Sequence, residues 1–133
     1  MNNVKVDHIG IATESIENSS VFWECLGFTN SGEEIVEGQG VKVRFLSGNL
    51  GSKIELLEPL NEETPIGKFI KNRGPGIQQL AIKVVDINKI IIKLKKIGVR
   101  LINEKPTKGA NGKLVSFIHP SSTGGVLVEL IQD

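Results

Sequence analysis

Two stretches of the chain share one order of hydrophobic and polar positions. Alternating or continuous apolar residues with β-branched side chains predict strands, and spacings of three and four predict helices. The strands are predicted near residues 4–12, 41–46, 53–57, 77–84, 114–119 and 126–131, with weaker ones starting near Phe28 and Arg100. Helices are predicted over residues 16–25 and 87–96, with a short helical run over 66–71.

Both long helices end in an apolar residue, a glycine and another apolar residue. These glycines, Gly27 and Gly98, suit a helix end that needs a positive φ. The segment 105–113 is rich in glycine and lysine, and it is predicted to be a mobile loop over a site.

The second stretch repeats the first without gaps over a strand, a turn and a helix. His8 falls on Gln79 at an offset of 71 residues, and Gly27 falls on Gly98 at the same offset. Further on, Phe45 falls on Phe117 at an offset of 72, and Glu55 on Glu129 at 74. The repeat predicts an α+β fold of two tandem βαβββ modules, about 4–59 and 76–132, whose sheet curls around one cleft within a single domain, 1–133.

The charge balance argues against nucleic-acid and membrane partners. Sixteen basic and fifteen acidic residues give a net charge of +1, without a long block of either sign. No apolar run approaches the ~18 residues of a membrane span, and the first residues do not resemble a signal peptide. Cys25, the single cysteine, is predicted to be a buried thiol in a reducing compartment. We therefore expect a cytoplasmic protein.

Glu55 and Glu129 lie within apolar strands, where an ionised carboxylate needs a partner or a metal. The alternative is that both point to solvent while their apolar neighbours face the core. The repeat favours the first interpretation, because pseudo-twofold symmetry would bring His8, Gln79, Glu55 and Glu129 together. One nitrogen and three oxygen donors suit Co²⁺, Ni²⁺, Zn²⁺, Mn²⁺ or Mg²⁺ with positions left for substrate. His119 has no such symmetry partner and is predicted to have a structural or supporting role.

Six segments resemble methylmalonyl-CoA epimerases, and more loosely glyoxalase I (lactoylglutathione lyase), both of the vicinal-oxygen-chelate superfamily. They are DHIGIA at 7–12, GVKV at 40–43, KIELLEP at 53–59, PIGKF at 65–69, FIHP at 117–120 and GGVLVEL at 124–130. The resemblance implies a metal held by first-strand and last-strand residues of both halves, with acid–base chemistry next to a thioester carbonyl.

Two residues depart from the epimerase pattern. Gln79 stands where epimerases typically have a ligating histidine, and Val43 stands where some bacterial epimerases have a catalytic glutamate. Some glyoxalase I enzymes use a glutamine at the equivalent position of the other half, so an amide ligand is compatible with the family. Valine at position 43 shifts proton transfer onto Glu55 and Glu129.

We therefore expect an isomerase that epimerises an acyl-CoA thioester, with Glu55 and Glu129 exchanging the α-proton on opposite faces. One alternative is glyoxalase I activity on a hemithioacetal of glutathione. Another is a metal-free protein that binds a small molecule, although the absence of tyrosine argues against a pure binding groove. The lysines of segment 105–113 are either contacts for CoA phosphates or ordinary solubilising residues. Exposed strand edges predict a homodimer.

Overall fold

The described part of the chain, residues 3–133, contains eight strands and three α-helices in a computed structural model. The chain divides into two compact units, one of residues 8–78 and one of residues 79–133 with 3–7. The elements are β1 Lys5–Ala12, α1 Ile16–Leu26, β2 Thr29–Val36, β3 Val41–Ser47, β4 Lys53–Pro59, α2 Pro65–Arg73, β5 Gly76–Lys83, α3 Ile87–Lys96, β6 Thr107–Lys108, β7 Leu114–Ile118 and β8 Val128–Gln132.

The unit of residues 8–78 is a βαβββ module followed by α2. Its strands lie in the order β2-β3-β4-β1, with β1 parallel to β4 and the other neighbours antiparallel. Ile16 from α1 packs with Leu46, Ile54 and Leu56 from the sheet, and all four are buried. The helix therefore covers one face of this sheet and leaves the other face to the residues that alternate with Leu46 and Leu56.

The second unit has the same topology. Its strands lie in the order β5-β8-β7-β6, again with one parallel pair, β5 and β8, and antiparallel neighbours beyond it. Ile87 and Ile91 from α3 pack against Ile118 and Leu130. The predicted α+β architecture of two βαβββ modules is confirmed.

The repeat extends to individual hydrogen bonds. Thr13 N donates to Leu57 O and Val84 N to Ile131 O, each at 2.9 Å. At the start of the two helices, Ile16 N donates to Glu58 Oε1 at 2.9 Å and Ile87 N to Gln132 Oε1 at 2.7 Å. Residues of the two units match in these bonds at the offsets found in the sequence, 71 and 74. The last strand of each unit is thus tied to the first turn of its helix.

The helix ends agree with the sequence. Ser15 and Asp86 accept hydrogen bonds from backbone N–H groups three residues on, as N-cap residues do. Gly27 has φ 118° and Gly98 has φ 83°, so both predicted positive angles are confirmed. The short helical run predicted over 66–71 forms the nine-residue helix α2. None of the helices in residues 3–133 is long and apolar enough to cross a membrane.

The prediction that Cys25 is buried is wrong, because its thiol is exposed. The buried side of α1 carries Ile16 and Ser20, with Trp23 partly buried against the core. Cys25 follows Trp23 by two residues, which is about 200° around a helix. It therefore lies on the outer side, next to the exposed Leu26.

In the second unit, one predicted strand needs correction and the segment 105–113 is more regular than a loop. The weak strand predicted near Arg100 is reduced to one isolated bridge, between Leu101 and Ile118. The regular strand in this region is instead β6, which lies inside the segment 105–113 and pairs with β7. A short 3-10 helix, Ala110–Gly112, follows it. The segment is therefore partly ordered by β7, and its mobility stays a prediction.

Arg44 is a buried cation that the sequence did not single out. Its guanidinium Nη2 lies 2.5 Å from Glu17 Oε1 on α1 and 3.2 Å from Glu33 Oε1 on β2. Burial lowers its pKa, but the hydrogen bonds with Glu17 and Glu33 more than offset this, so the pKa of Arg44 is raised. Arg44 thus stays charged and links α1 to two strands of its unit.

Candidate active site

In the first unit, His8 and Glu55 lie side by side. Gly10 of β1 is paired with Glu55 of β4, and His8 precedes Gly10 by two residues, so His8 and Glu55 share one face of the sheet. The His8 Nδ1 atom lies 3.2 Å from Glu55 Oε2. His8 is only 2% exposed, whereas the Glu55 side chain is 14% exposed. A buried imidazole is thus held against a carboxylate that still reaches solvent.

In the second unit, Gln79 and Glu129 form the equivalent pair. Ala81 of β5 is paired with Glu129 of β8, and Gln79 precedes Ala81 by two residues. The Gln79 Nε2 amide donates a hydrogen bond to Glu129 Oε1 at 3.1 Å. Glu129 is 5% exposed and Gln79 is 7% exposed. The amide carbonyl of Gln79 points away from this hydrogen bond, since the amide nitrogen occupies it.

The two pairs have the same construction. In each, a nitrogen from the first strand of the unit meets a carboxylate from its last strand, on the sheet face opposite the helix. The alternative that Glu55 and Glu129 point to solvent is wrong, because both side chains are mostly covered. The contacts of His8 with Glu55 and of Gln79 with Glu129 follow from the neighbouring strands β1-β4 and β5-β8. That all four residues bind one metal ion stays a prediction.

The donor atoms fit a divalent metal ion. One imidazole, two carboxylates and one amide oxygen are the ligand types of Co²⁺, Ni²⁺, Zn²⁺, Mn²⁺ and Mg²⁺, and two carboxylates balance the charge of the ion. Each unit provides two of these donors. Among residues 3–133, no group of three or more His, Cys, Asp or Glu side chains is arranged as a metal site. Metal binding by the set of four therefore stays a prediction.

The sequence pattern did not single out two aromatic neighbours of the carboxylates as site residues. Phe45 on β3 is directly opposite Glu55, and Phe117 on β7 is directly opposite Glu129. The repeat had aligned the two phenylalanines with each other, but it gave no strand register. Val43, two residues before Phe45 on the same strand, is 2% exposed. On β3, the two residues nearest Glu55 on this face, Phe45 and Val43, are thus apolar.

His119 lies in a turn, and its contacts support the predicted structural role. Its Nδ1 atom accepts a hydrogen bond from Ser121 N at 3.0 Å and lies 2.8 Å from Ser121 Oγ. The backbone N–H of His119 donates to Arg100 O at 2.9 Å. His119 thus fixes the 3-10 turn Pro120–Ser122 that follows β7.

Residues 7–117 match the family described as the Glyoxalase/Bleomycin resistance protein/Dioxygenase superfamily. The chain belongs to this superfamily, and the βαβββ repeat and the fold described above agree with it. The matched range includes His8 and Gln79, from the first strands of the two units, and Glu55.

Within the superfamily, the resemblance to methylmalonyl-CoA epimerases is confirmed. The mitochondrial methylmalonyl-CoA epimerase of Homo sapiens is 40% identical over 131 residues, which cover 96% of this chain and 73% of that protein. A hypothetical protein from Bacillus halodurans C-125 has a structure with a TM-score of 0.94 and 47% identity, covering 98% of this chain and 95% of its own. Methylmalonyl-CoA epimerase of Streptomyces coelicolor, in complex with 2-nitronate-propionyl-CoA, has a structure with a TM-score of 0.90 and 31% identity. The match covers 97% of this chain and 96% of that chain.

Proposed function

We propose that this chain epimerises an acyl-CoA at the carbon next to the thioester carbonyl, with methylmalonyl-CoA as the substrate. The observation that carries the proposal is that each unit holds one largely covered carboxylate, Glu55 or Glu129, against a nitrogen of its own first strand. Epimerisation needs two such groups, because one must remove a proton and the other must return it to the opposite face. The named epimerase relatives support the choice of substrate.

The reaction is a proton transfer through a planar enolate. A carboxylate takes the α-proton, the charge moves to the thioester oxygen, and the second carboxyl group gives a proton to the other face of the carbon. Glu55 and Glu129 take these two roles, and they exchange roles when the substrate has the opposite configuration. Val43 cannot ionise, so β3 provides no competing base on the face that it shares with Phe45.

We further propose that one divalent ion binds to His8, Glu55, Gln79 and Glu129. When bound, it supplies Lewis-acid stabilisation of the developing enolate charge. The contacts within each pair orient the two carboxylates: His8 Nδ1 lies against one oxygen of Glu55, and the Gln79 amide donates to one oxygen of Glu129. The second oxygen of each carboxylate would bind the ion or exchange the proton with the substrate.

Parallel assays test this function. The purified protein, loaded in turn with Co²⁺, Ni²⁺, Zn²⁺, Mn²⁺ and Mg²⁺, is given one epimer of methylmalonyl-CoA or the glutathione–methylglyoxal hemithioacetal. We expect the other epimer of methylmalonyl-CoA to form, without formation of lactoylglutathione. Lactoylglutathione alone would replace the epimerase function by that of glyoxalase I, and ligand binding without turnover would indicate a binding protein.

Replacing Gln79 by histidine is expected to raise the affinity for metal. Imidazole is a stronger ligand than an amide oxygen for Co²⁺, Ni²⁺ and Zn²⁺. We expect a gain on the order of tenfold, at the lower end of the changes that site substitutions cause. A Co²⁺ titration against a competing chelator measures it. Gln78→His is the matched control, because Gln78 alternates with Gln79 on β5 and faces the other side. Equal affinities of Gln79→His and the parent would remove Gln79 from the ligands.

The cytoplasmic location and the homodimer stay predictions of the sequence. Light scattering at micromolar protein concentration tests the second of them. A mass of two chains is expected, and a mass of one chain would contradict it.

A further inference from the structure

Each carboxylate of the site has an aromatic ring as its direct neighbour across the sheet. The register of β3 and β4 places Phe45 opposite Glu55, and that of β7 and β8 places Phe117 opposite Glu129. Directly opposite residues of antiparallel strands project from the same face, with Cβ atoms about 5 Å apart. The arrangement therefore occurs twice, once in each unit.

On its other side, each carboxylate has a residue with little or no side chain. In the parallel pairs, Gly10 of β1 is the partner of Glu55, and Ala81 of β5 is the partner of Glu129. Each carboxylate thus has a large aromatic ring as its neighbour on one side and a residue with a small or absent side chain on the other. The ring is the larger of the two neighbours.

Both rings lie next to apolar residues. Phe117 packs against the buried cluster of Ala81, Val115 and Ile131. On the strand of Phe45, the adjacent pair on the same face is Val43 and Leu57, both buried. Phe117 cannot turn away without losing its contacts with Ala81, Val115 and Ile131, so its ring has a fixed position.

We propose that Phe45 and Phe117 determine which α-substituent the substrate may carry, by accepting a methyl group and excluding longer chains. The proposal rests on the proposed function. A base must come within about 3 Å of the proton that it removes, so its oxygen lies next to the α-carbon. A ring directly across the strand from that base then contacts the substituents of the same carbon. In the proposed reaction Glu55 and Glu129 both act on this carbon, so both rings would contact its substituent.

Shortening either ring tests the proposal through a ratio of two substrates. The values of kcat/KM are measured for methylmalonyl-CoA and for propylmalonyl-CoA, in the parent protein, Phe45→Ala and Phe117→Ala. We expect the ratio of propylmalonyl-CoA to methylmalonyl-CoA to rise about tenfold or more, because each methylene in an apolar pocket changes discrimination by roughly 10-fold to 200-fold. General damage to the fold lowers both rates and leaves their ratio unchanged.

Binding gives a second readout that does not depend on turnover. Titration calorimetry measures the affinity of the metal-loaded protein for each CoA ester. We expect propylmalonyl-CoA to gain affinity in the two variants relative to methylmalonyl-CoA. Phe22→Ala is the matched control, since Phe22 lies exposed on α1, and it should leave both ratios at the parent value. If an alanine variant does not fold, Phe45→Leu and Phe117→Leu replace it, and a smaller rise in the ratio is expected.

The possible results separate the two proposals. If the parent does not interconvert the epimers of methylmalonyl-CoA, the proposed function fails. If the parent does so, but both phenylalanine variants keep the parent ratio in turnover and in binding, the function stands and the assignment of Phe45 and Phe117 is overturned.

Discussion

Glu55→Gln is expected to lower turnover of methylmalonyl-CoA by ~10²-fold or more, the usual contribution of a positioned base. Glutamine keeps the size of the side chain and one oxygen donor, but it cannot accept the proton. His8 Nδ1 lies 3.2 Å from Glu55 Oε2, and a hydrogen bond to the amide carbonyl can replace this contact. Metal content should therefore remain close to that of the parent. Glu55→Ala, which removes the oxygen as well, should lose both metal and turnover.

Steady-state rates and metal analysis of the same protein preparations provide this measurement. Glu58→Gln is the matched control on the same strand. Glu58 accepts a hydrogen bond from Ile16 N, and Gln132 already does the same for Ile87 N in the other unit. This control should leave both turnover and metal content unchanged. Turnover by Glu55→Gln at the parent rate, with equal metal occupancy, would rule out Glu55 as the base.

Ile16→Ala and Ile87→Ala are each expected to lower the free energy of unfolding by about 2 to 5 kcal/mol. Both side chains are completely buried at the start of a helix, and they occupy equivalent positions of the repeat. If residues 1–133 are one domain, as the sequence predicts, each variant shifts one common unfolding transition by this amount. The two variants should then have similar denaturation curves.

Urea denaturation, followed by circular dichroism and by the fluorescence of Trp23, measures the free energy of unfolding. It also shows whether the two units unfold in one transition. Trp23 lies in the first unit, so its signal follows that unit alone. Ile92→Ala on the exposed side of α3 is the control, and its curve should nearly coincide with that of the parent. If Ile87→Ala left the Trp23 transition unchanged while a separate transition moved, the two units would unfold independently, and the single domain would be wrong.

The strands and helices could be predicted because their periodicities differ and because the sequence states them twice. The offset of 71 that equates His8 with Gln79 also equates Ile16 with Ile87, the first buried residues of the two long helices. A weak hydrophobic pattern that occurs twice at the same offset predicts an element more strongly than a single occurrence does. For Glu55 and Glu129, the repeat correctly favoured the covered position over the exposed one, which alternation in a single strand leaves open.

Other features depend on contacts that a linear pattern does not contain. Helix α1 has apolar residues on two sides, so spacing alone did not decide that Trp23 faces the core and Cys25 faces away. The pairing of Phe45 with Glu55 depends on the register of β3 and β4, which is set across an intervening turn. Arg44 is an ordinary basic residue in the sequence, and it becomes a buried cation only because Glu17 and Glu33 approach it from α1 and β2.

Exchange of the α-proton of methylmalonyl-CoA in deuterated water tests the central proposal most directly. Proton nuclear magnetic resonance of the metal-loaded parent protein with one epimer should show loss of the α-proton signal and a methyl doublet that collapses to a singlet, as the other epimer appears. Glu55→Gln and Glu129→Gln should each slow the appearance of the other epimer by ~10²-fold or more, since each lacks one of the two groups that inversion needs. Retention of the α-proton by the metal-loaded parent, with the substrate bound at the same concentration, would contradict the proposed function.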